Sequence, residues 1–423
     1  MVYNEFYTSV NDKEAFNIIR NKLTDNNSKF QSNKLSIHRT ISDTTNATPS
    51  KKNVVFILVE SLSASFMKEF GNQQNITPFL DSLAQKSVFF DNLYATGTRT
   101  VRGMEAMTLC IPPTPGQSIV KRPENQNLFT VSNVFKSKGY NSNFFYGGDG
   151  YFDNMNAYFG GNGFTIYDRG RGSVLSDKIK TTRNNINDNE VTFENAWGIC
   201  DEDIYSKMLN VADEHHKNNK PFFNFVMTTS NHRPFTYPDN AIDIPSGSGR
   251  EGAVKYTDYA IKKMFQKAKN KPWFKNTVFI IIADHCASSA GKDEIDVANY
   301  HIPAFIVNFP QEMNQKVSKQ CSQIDVFPTF FSMMNWSYES NFFGKNVFNQ
   351  NFEERAFVGT YRKLVLMKKE KVMILSDQKR QSFYYWNKTD NSLKPLPMDK
   401  SFLNETISWY QTADYLFTNK LLK

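Results

Sequence analysis

The sequence predicts an α/β fold: a largely parallel central sheet sandwiched by helices, with a small antiparallel subdomain towards the C-terminal end. Three observations carry that expectation. Two continuous apolar runs rich in β-branched residues, Val54–Val59 and Val278–Ala283, are strand-sized and fit strands buried on both faces. Around them strand-like and helix-like stretches alternate, as they do where crossovers connect parallel strands. After about residue 353 the alternation gives way to short strand-like runs joined by turns.

Residues 1–50 are polar, with a helical patch at Lys13–Leu23, and Ser42–Lys52 is rich in Ser, Thr and Asn like a linker. The first buried strand ends at Glu60-Ser61. Thr77-Pro78 then opens a short helix with Pro in its first turn. A strand at Tyr140–Tyr146, a helix at Glu202–His215, a buried strand at Phe222–Met227 and an amphipathic helix at Tyr256–Ala268 follow. The second apolar run closes on Asp284-His285, and Ala304–Asn308 makes a shorter strand. Phe357–Leu375 and Ser382–Trp386 predict the antiparallel strands, with a closing helix near Thr406–Leu422. The expected division is an N-terminal linker over 1–50, a catalytic domain over 51–352 and a small α+β subdomain over 353–423.

Bulk properties narrow the function. The 423 residues, 40% hydrophobic and 22% charged, suit a soluble globular chain with a sizeable core. The net charge of +8 is spread along the chain, which fits a mildly basic solvated surface and leaves room for anionic partners such as phospholipid headgroups. No basic stretch is interleaved with aromatics, so nucleic acid is not an expected partner. The cysteines, Cys110, Cys200, Cys286 and Cys321, form no Cys-x-x-Cys pair, and their pairing is left open. No apolar run approaches the roughly 18 residues of a membrane-spanning helix. The N-terminus lacks the basic-then-apolar pattern of a signal peptide, so the chain as given carries no export instruction.

Ligands gather outside the carboxyl ends of strands in open α/β sheets. There the two buried runs deliver Glu60, and Asp284 beside His285. Two carboxylates and an imidazole make a partial ligand set for Mn²⁺ or Zn²⁺. Glu60 alone reads more often as a helix N-cap neighbour or a solvated strand end, and Asp284-His285 alone equally well as a paired turn; together they point to a metal site. A nucleophile is available in Thr98–Glu105, where Thr100 would be activated as a metal-bound alkoxide. On spacing alone such a threonine-rich loop is more often a turn.

Five segments in order resemble the alkaline phosphatase–sulfatase superfamily: Asn53–Ser61, Thr77–Leu93, Thr98–Glu105, Ala283–Lys292 and Ser322–Phe331. Within it the chain most resembles lipoteichoic acid synthase-like phosphoglycerol transferases, over roughly residues 50–350. The resemblance implies that Glu60, Thr100, Asp284 and His285 hold one divalent metal, Mn²⁺ or Zn²⁺, and that Thr100 is the nucleophile. It implies that His232 contacts the substrate phosphate. His301 matches a histidine that in some relatives touches substrate or a second metal, against a structural role. Arg102 is a candidate for a phosphate oxygen, or equally for a packing or salt-bridge role. Trp197-Gly198 looks like another family element, taken as structural. Lipoteichoic acid synthases carry a Trp and an Arg near the glycerol phosphate, whereas the matching stretch here, Phe145–Asn154, has neither. Tyr146, Asp149 and Asn154 are its candidates for lining the pocket. Two-metal relatives add an Asp-x-x-x-His pair, and Thr228 stands at that Asp's place, so one metal is expected.

The resemblance implies a transferase that moves a phosphoglycerol or phosphoethanolamine headgroup from a phospholipid to a cell-envelope glycan or lipid. A phosphothreonine would be the intermediate. Full-length relatives place this domain outside the cytoplasmic membrane, behind membrane spans that this sequence does not contain, so contact with the membrane surface is expected. The rivals are a phosphodiesterase or phosphatase of the same fold, a sulfatase, and an idle binding domain. Sulfatases carry a Cys- or Ser-x-Pro-x-Arg motif where this chain has Thr100-Val101-Arg102-Gly103-Met104.

Overall fold

A computed structural model of the chain describes residues 1–32, 35–170, 182–288, 294–310 and 313–423. Residues 289–292, part of the Ala283–Lys292 segment singled out above, lie outside the described residues.

Among the described residues the main sheet has ten strands. Its centre is Asn53–Val59, whose residues are all buried, as continuous apolarity requires of a strand covered on both faces. Parallel partners flank it: Phe222–Met227 on one side and Thr277–Ala283 on the other. The register sets Leu58 beside Met227 and Ile282, so the three strands end almost level. Asn141–Tyr146, Phe164–Asp168 and Arg183–Asn185 extend the parallel half outward. On the other side the direction reverses: His301–Val307 runs antiparallel to both Thr277–Ala283 and Ser87–Tyr94. Gln315–Val317 and Cys321–Ser322 pair with the outer side of Ser87–Tyr94.

Side chains alternate between the two faces of a strand, and each face has its own helices. On one face Phe56 meets Phe327 of the helix Val326–Met333 at 5.1 Å, and Phe223 stacks on Phe135 of Val131–Ser137 at 3.9 Å. On the other, Phe279 meets Phe265 of Arg250–Ala268 at 4.7 Å, with Asp201–Lys217 packed alongside. The short helix Pro78–Ala84 carries Pro at its start as expected, but Thr77 does not cap it. The Asp258 carboxylate does, accepting from Phe79 N at 3.0 Å and Leu80 N at 2.8 Å, and so ties this helix to Arg250–Ala268.

The C-terminal residues form a separate five-stranded antiparallel sheet, covered by the helix Lys400–Thr418. Residues 3–41, expected as part of a linker with helical patches, do more than connect. The helix Asp12–Leu23 buries Ala15, Phe16, Ile19 and Leu23 and lies against Lys400–Thr418. Ser28–Phe30 and Arg39–Ile41 join Tyr338–Ser340 in a three-stranded sheet. All four cysteines are buried and free. Among the described residues no helix is long and apolar enough to cross a membrane.

Candidate metal centre and phosphate pocket

The site forms where the level strand ends open into loops. Glu60 follows Asn53–Val59 directly, and its N–H donates to Thr228 Oγ1 at 2.9 Å. Thr228, at the position where a second-metal Asp would stand, therefore serves as a strut. The chain then turns sharply through Ser61, a non-glycine residue at φ 54°, and such strain is found where the surroundings hold the backbone firmly. Here Ser61 N donates to Asp284 Oδ1 at 2.8 Å, its hydroxyl donates to Glu60 Oε1 at 2.7 Å, and Asn231 Nδ2 donates to the carbonyls of both Glu60 and Ser61.

Asp284 and His285 follow Thr277–Ala283. His285 Nδ1–H donates to the Cys286 carbonyl at 2.6 Å, which leaves Nε2 facing the carboxylates, 3.4 Å from Glu60 Oε1 and 3.4 Å from Asp284 Oδ2. Thr100 opens the helix Thr100–Leu109, and its hydroxyl donates to Glu60 Oε2 at 3.0 Å. That helix reaches the site because residue 103 is glycine: a Cβ there would lie 2.7 Å from Asp284 O and 2.8 Å from its Cα.

Ligand atoms of Glu60, Asp284 and His285 all lie within 4.8 Å of one another, and this is the one such group among the described residues. Without a cation the cluster is poorly balanced. Burial disfavours the Asp284 carboxylate and the Glu60 charge adds to that, so its pKa is raised well above the usual range. Burial would lower His285, but Asp284 and Glu60 lift it to about 9. Burial also works against the Glu60 carboxylate, yet the hydrogen bond and charge of His285 and the Ser61 hydroxyl hold it at about 2. Asp284 Oδ2 is buried with no hydrogen-bond partner. An orphaned carboxylate oxygen, a second carboxylate, an oriented imidazole and a hydroxyl make a donor set that fits one divalent metal.

The cluster lies on the wall of a cavity of about 490 Å³, which Thr100, Tyr146 and His232 also line. The His232 ring lies against Trp197, with centroids 3.8 Å apart, and its Nδ1 is 3.0 Å from Arg233 O. Arg99, Arg233 and Arg250 line the same cavity, and among the described residues no carboxylate is paired with any of them. Arg250 is steadied by Asn231, whose carbonyl accepts at 2.8 Å, and lies 4.6 Å over the Phe235 ring. Three unpaired cations beside a metal site are suited to an anionic phosphate.

Four expected contacts are placed elsewhere. Arg102 is buried, with Nη1 on Glu105 Oε1 at 2.9 Å and Nη2 on the carbonyls of Thr114 and Gly116; it fastens the helix to the following loop. The His301 ring lies between Phe70 and Tyr94 with Nε2 2.8 Å from the Asp91 carbonyl, away from the cavity lining. Asp149 pairs with Arg183 at 3.2 Å. Asn154 donates to the Val120 carbonyl at 3.0 Å, while its neighbours Phe152 and Asp153 reach the cavity instead. Arg99, Arg233 and Arg250 reach the cavity without having been expected there, and Trp197, expected as a structural element, lines it as well. Arg99 and Arg233 stand next to Thr100 and His232, a signal that was available. Arg250 and Trp197 come from distant segments that only the fold brings in.

Comparison with known proteins agrees with this architecture. The sulfatase family model matches residues 52–336. The chain is 26% identical over 309 residues to lipoteichoic acid synthase 2 of Bacillus subtilis, a match covering 67% of this chain and 45% of that protein. It is 25% identical over 254 residues to phosphoglycerol transferase I of Escherichia fergusonii, covering 56% of this chain and 31% of that protein. The chain thus spans less than half the length of these curated relatives. A crystal structure of an alkaline phosphatase superfamily protein from Vibrio parahaemolyticus superposes with a TM-score of 0.87 at 30% identity, covering 99% of each chain. With the family model matched from the first central strand to beyond the last core helix, the protein belongs to the sulfatase family and has the alkaline phosphatase superfamily fold.

Proposed function

We propose that the protein transfers a phosphoglycerol or phosphoethanolamine headgroup from a phospholipid to a hydroxyl of a cell-envelope glycan or lipid, through a phosphothreonine at Thr100. One observation carries this reading: the Thr100 hydroxyl, 3.0 Å from Glu60, opens a helix on the wall of a cavity shared by three unpaired arginines. The names of the relatives, lipoteichoic acid synthase 2 and phosphoglycerol transferase I, support it.

Glu60, Asp284, His285 and Thr100 Oγ1 would hold one divalent ion, Mn²⁺ or Zn²⁺. The oxygen-rich set leans towards Mn²⁺. Such an ion supplies positive charge that favours the Thr100 alkoxide and draws charge from a phosphate oxygen. The remaining work falls to the chain. Arg99, Arg233 and Arg250 bind the phosphodiester and hold phosphorus in line with Thr100 Oγ1. Thr100 Oγ1 bonds to phosphorus as the bond from phosphorus to the diacylglycerol oxygen breaks. The threonine proton ends on diacylglycerol. In the second half an acceptor hydroxyl bonds to phosphorus, the Thr100–phosphorus bond breaks, and the acceptor's proton returns to Thr100. His232, with Nδ1 committed to the Arg233 carbonyl, offers Nε2 to carry these protons. The His301 ring is turned away from that lining, with Nε2 on the Asp91 carbonyl, and does not share that role. We place the reaction at the outer surface of the cytoplasmic membrane, where donor and acceptor meet.

The test is release of diacylglycerol from phosphatidylglycerol or phosphatidylethanolamine vesicles in the presence of Mn²⁺ or Zn²⁺. Wild type should release it and Thr100→Ala should not. Near-normal turnover by Thr100→Ala would discard the mechanism, and headgroup release to water alone would favour a phosphodiesterase.

A further inference from the structure

A second cavity, of about 390 Å³, lies at the opposite end of the central strand from Glu60. Its position follows from Trp336, which lines it and donates to the carbonyl of Ser50, three residues ahead of Asn53–Val59. The N-terminal segment forms one wall and the stretch after the helix Val326–Met333 forms the other.

Arg39 is the unusual wall residue. It stands on the strand Arg39–Ile41, opposite Ser340, and is only 2% exposed. Its guanidinium has one hydrogen bond, from Nη1 to the Ile37 carbonyl at 3.2 Å, and Nε is buried without a partner. No carboxylate pairs with it among the described residues. The cavity's own Asp25 is already taken by Lys345 at 3.0 Å, and the Asp43 carboxylate accepts from Thr45. Arg355 shows what a buried arginine in this molecule otherwise does: at 3% exposure it forks onto both oxygens of Asp325. A guanidinium presents five donors in a plane and is costly to bury unless an oxyanion meets them. The rest of the lining is polar: Asn27 Nδ2 donates to the Ser42 carbonyl and Asn346 Nδ2 to Ser332 Oγ and Asn349 Oδ1, which leaves Asn27 Oδ1, the Ser332 hydroxyl proton and the Asn349 amide N–H groups for the hydroxyls of a polyol.

We infer that this cavity binds a small polyol bearing an oxyanion, a phosphate ester or a carboxylate, whose anionic head forks onto Arg39. This does not rest on the proposed reaction, and the cavity is separated from Thr100 by the length of the central strand.

The test is calorimetric titration of the full chain with glycerol 3-phosphate, glycerate, inorganic phosphate and, as uncharged control, glycerol. It is repeated on Arg39→Met and on Asn349→Trp, which fills the cavity from another side. Because the catalytic cavity also takes phosphates, only binding lost in both variants counts. The expected result is saturable binding of at least one anion, weakened tenfold or more in both variants, with none for glycerol. Preference for glycerol 3-phosphate over glycerate identifies a phosphorylated ligand, and the reverse a carboxylate. Without ligand, Arg39→Met should melt no lower than wild type, because it removes an unpaired buried charge. Anion binding unchanged by the two substitutions, or no binding at millimolar concentration, would overturn the inference. So would an Arg39→Met protein that melts several degrees lower while binding anions as before.

Discussion

Gly103→Ala probes how the helix that Thr100 opens and the Glu60–Asp284–His285 cluster are locked together. In a free helix the change would stabilise by about 1 kcal/mol, since glycine loses more backbone entropy on folding than alanine. Here the added methyl would lie 2.7 Å from the Asp284 carbonyl oxygen and 2.8 Å from its Cα and Cβ. None of those atoms is the end of a flexible side chain, so either the helix Thr100–Leu109 or the Asp284 turn must move. Overpacking of this kind costs about 1–3 kcal/mol, which leaves a net loss of about 0–2 kcal/mol. The larger consequence is at the site. A shift of Asp284 or Thr100 relative to Glu60 disturbs the donor set, and faults of that order lower metal affinity by about 10–100-fold. Urea unfolding of the metal-free protein and Mn²⁺ titration of the folded protein measure the two effects separately. A Gly103→Ala protein that is about 1 kcal/mol more stable, with unchanged metal affinity, would refute the close contact on which the site's geometry rests.

Other perturbations separate the cavity from its scaffold. Replacing Arg99, Arg233 or Arg250 by Ala should each lower kcat/KM by about 10–100-fold with little change in melting temperature, since each removes a charged hydrogen bond of about 1.5–3 kcal/mol to the phosphate. Arg102→Ala should instead destabilise by about 3–5 kcal/mol, because it strands the buried Glu105 carboxylate; urea unfolding distinguishes the two classes. Metal affinity should rise with pH. In the metal-free protein His285 keeps its proton up to about 9, and a metal takes only the neutral ring. Binding therefore releases at least one proton below that pH, and the dissociation constant should fall at least about tenfold per pH unit until His285 is neutral. Titrations in buffers of different ionisation heat would show it, and a pH-independent constant between 6 and 9 would contradict it. The sign reverses for the metal-free fold: a raised His285 pKa favours the folded state at low pH, and that contribution is lost as pH climbs through about 9. Elemental analysis should find one metal per chain, because Thr228 offers a hydroxyl already engaged by Glu60 N where a second ion would need a carboxylate.

The parts of the fold that were legible are those whose sequence is one-sided. Asn53–Val59, Phe222–Met227 and Thr277–Ala283 are buried throughout and, apart from Asn53, Asn224 and Thr277, apolar, because both their faces are covered. Glu60, Asp284 and His285 were legible for the same reason, since a polar residue closing such a run must stand at the sheet's edge. Edge strands were not: Arg183–Asn185 and Gln315–Val317 are short and polar and carry no alternation. The reversal of His301–Val307 was equally hidden, because hydrogen-bonding direction leaves no mark on composition. That reversal also sends the His301 ring towards Asp91 rather than towards the Glu60–Asp284–His285 cluster. Arg102 illustrates another limit. In the first turn of the helix that Thr100 opens it is a candidate for a phosphate oxygen or, equally, for a salt bridge, but two positions on from Thr100 is about 200° around a helix, and here it faces the interior on Glu105. Arg250 reaches the cavity through tertiary packing, for which a single sequence holds no local sign.

The most direct measurement of the central claim is the intact mass of the protein after incubation with Mn²⁺ or Zn²⁺ and phosphatidylglycerol or phosphatidylethanolamine, with Thr100→Ala alongside. The account predicts an added phosphoglycerol or phosphoethanolamine on the wild-type chain, mapped to Thr100 by peptide fragmentation and absent from Thr100→Ala. An adduct that persists in Thr100→Ala, or turnover of either lipid at full metal occupancy through a chain that never carries one, would contradict it.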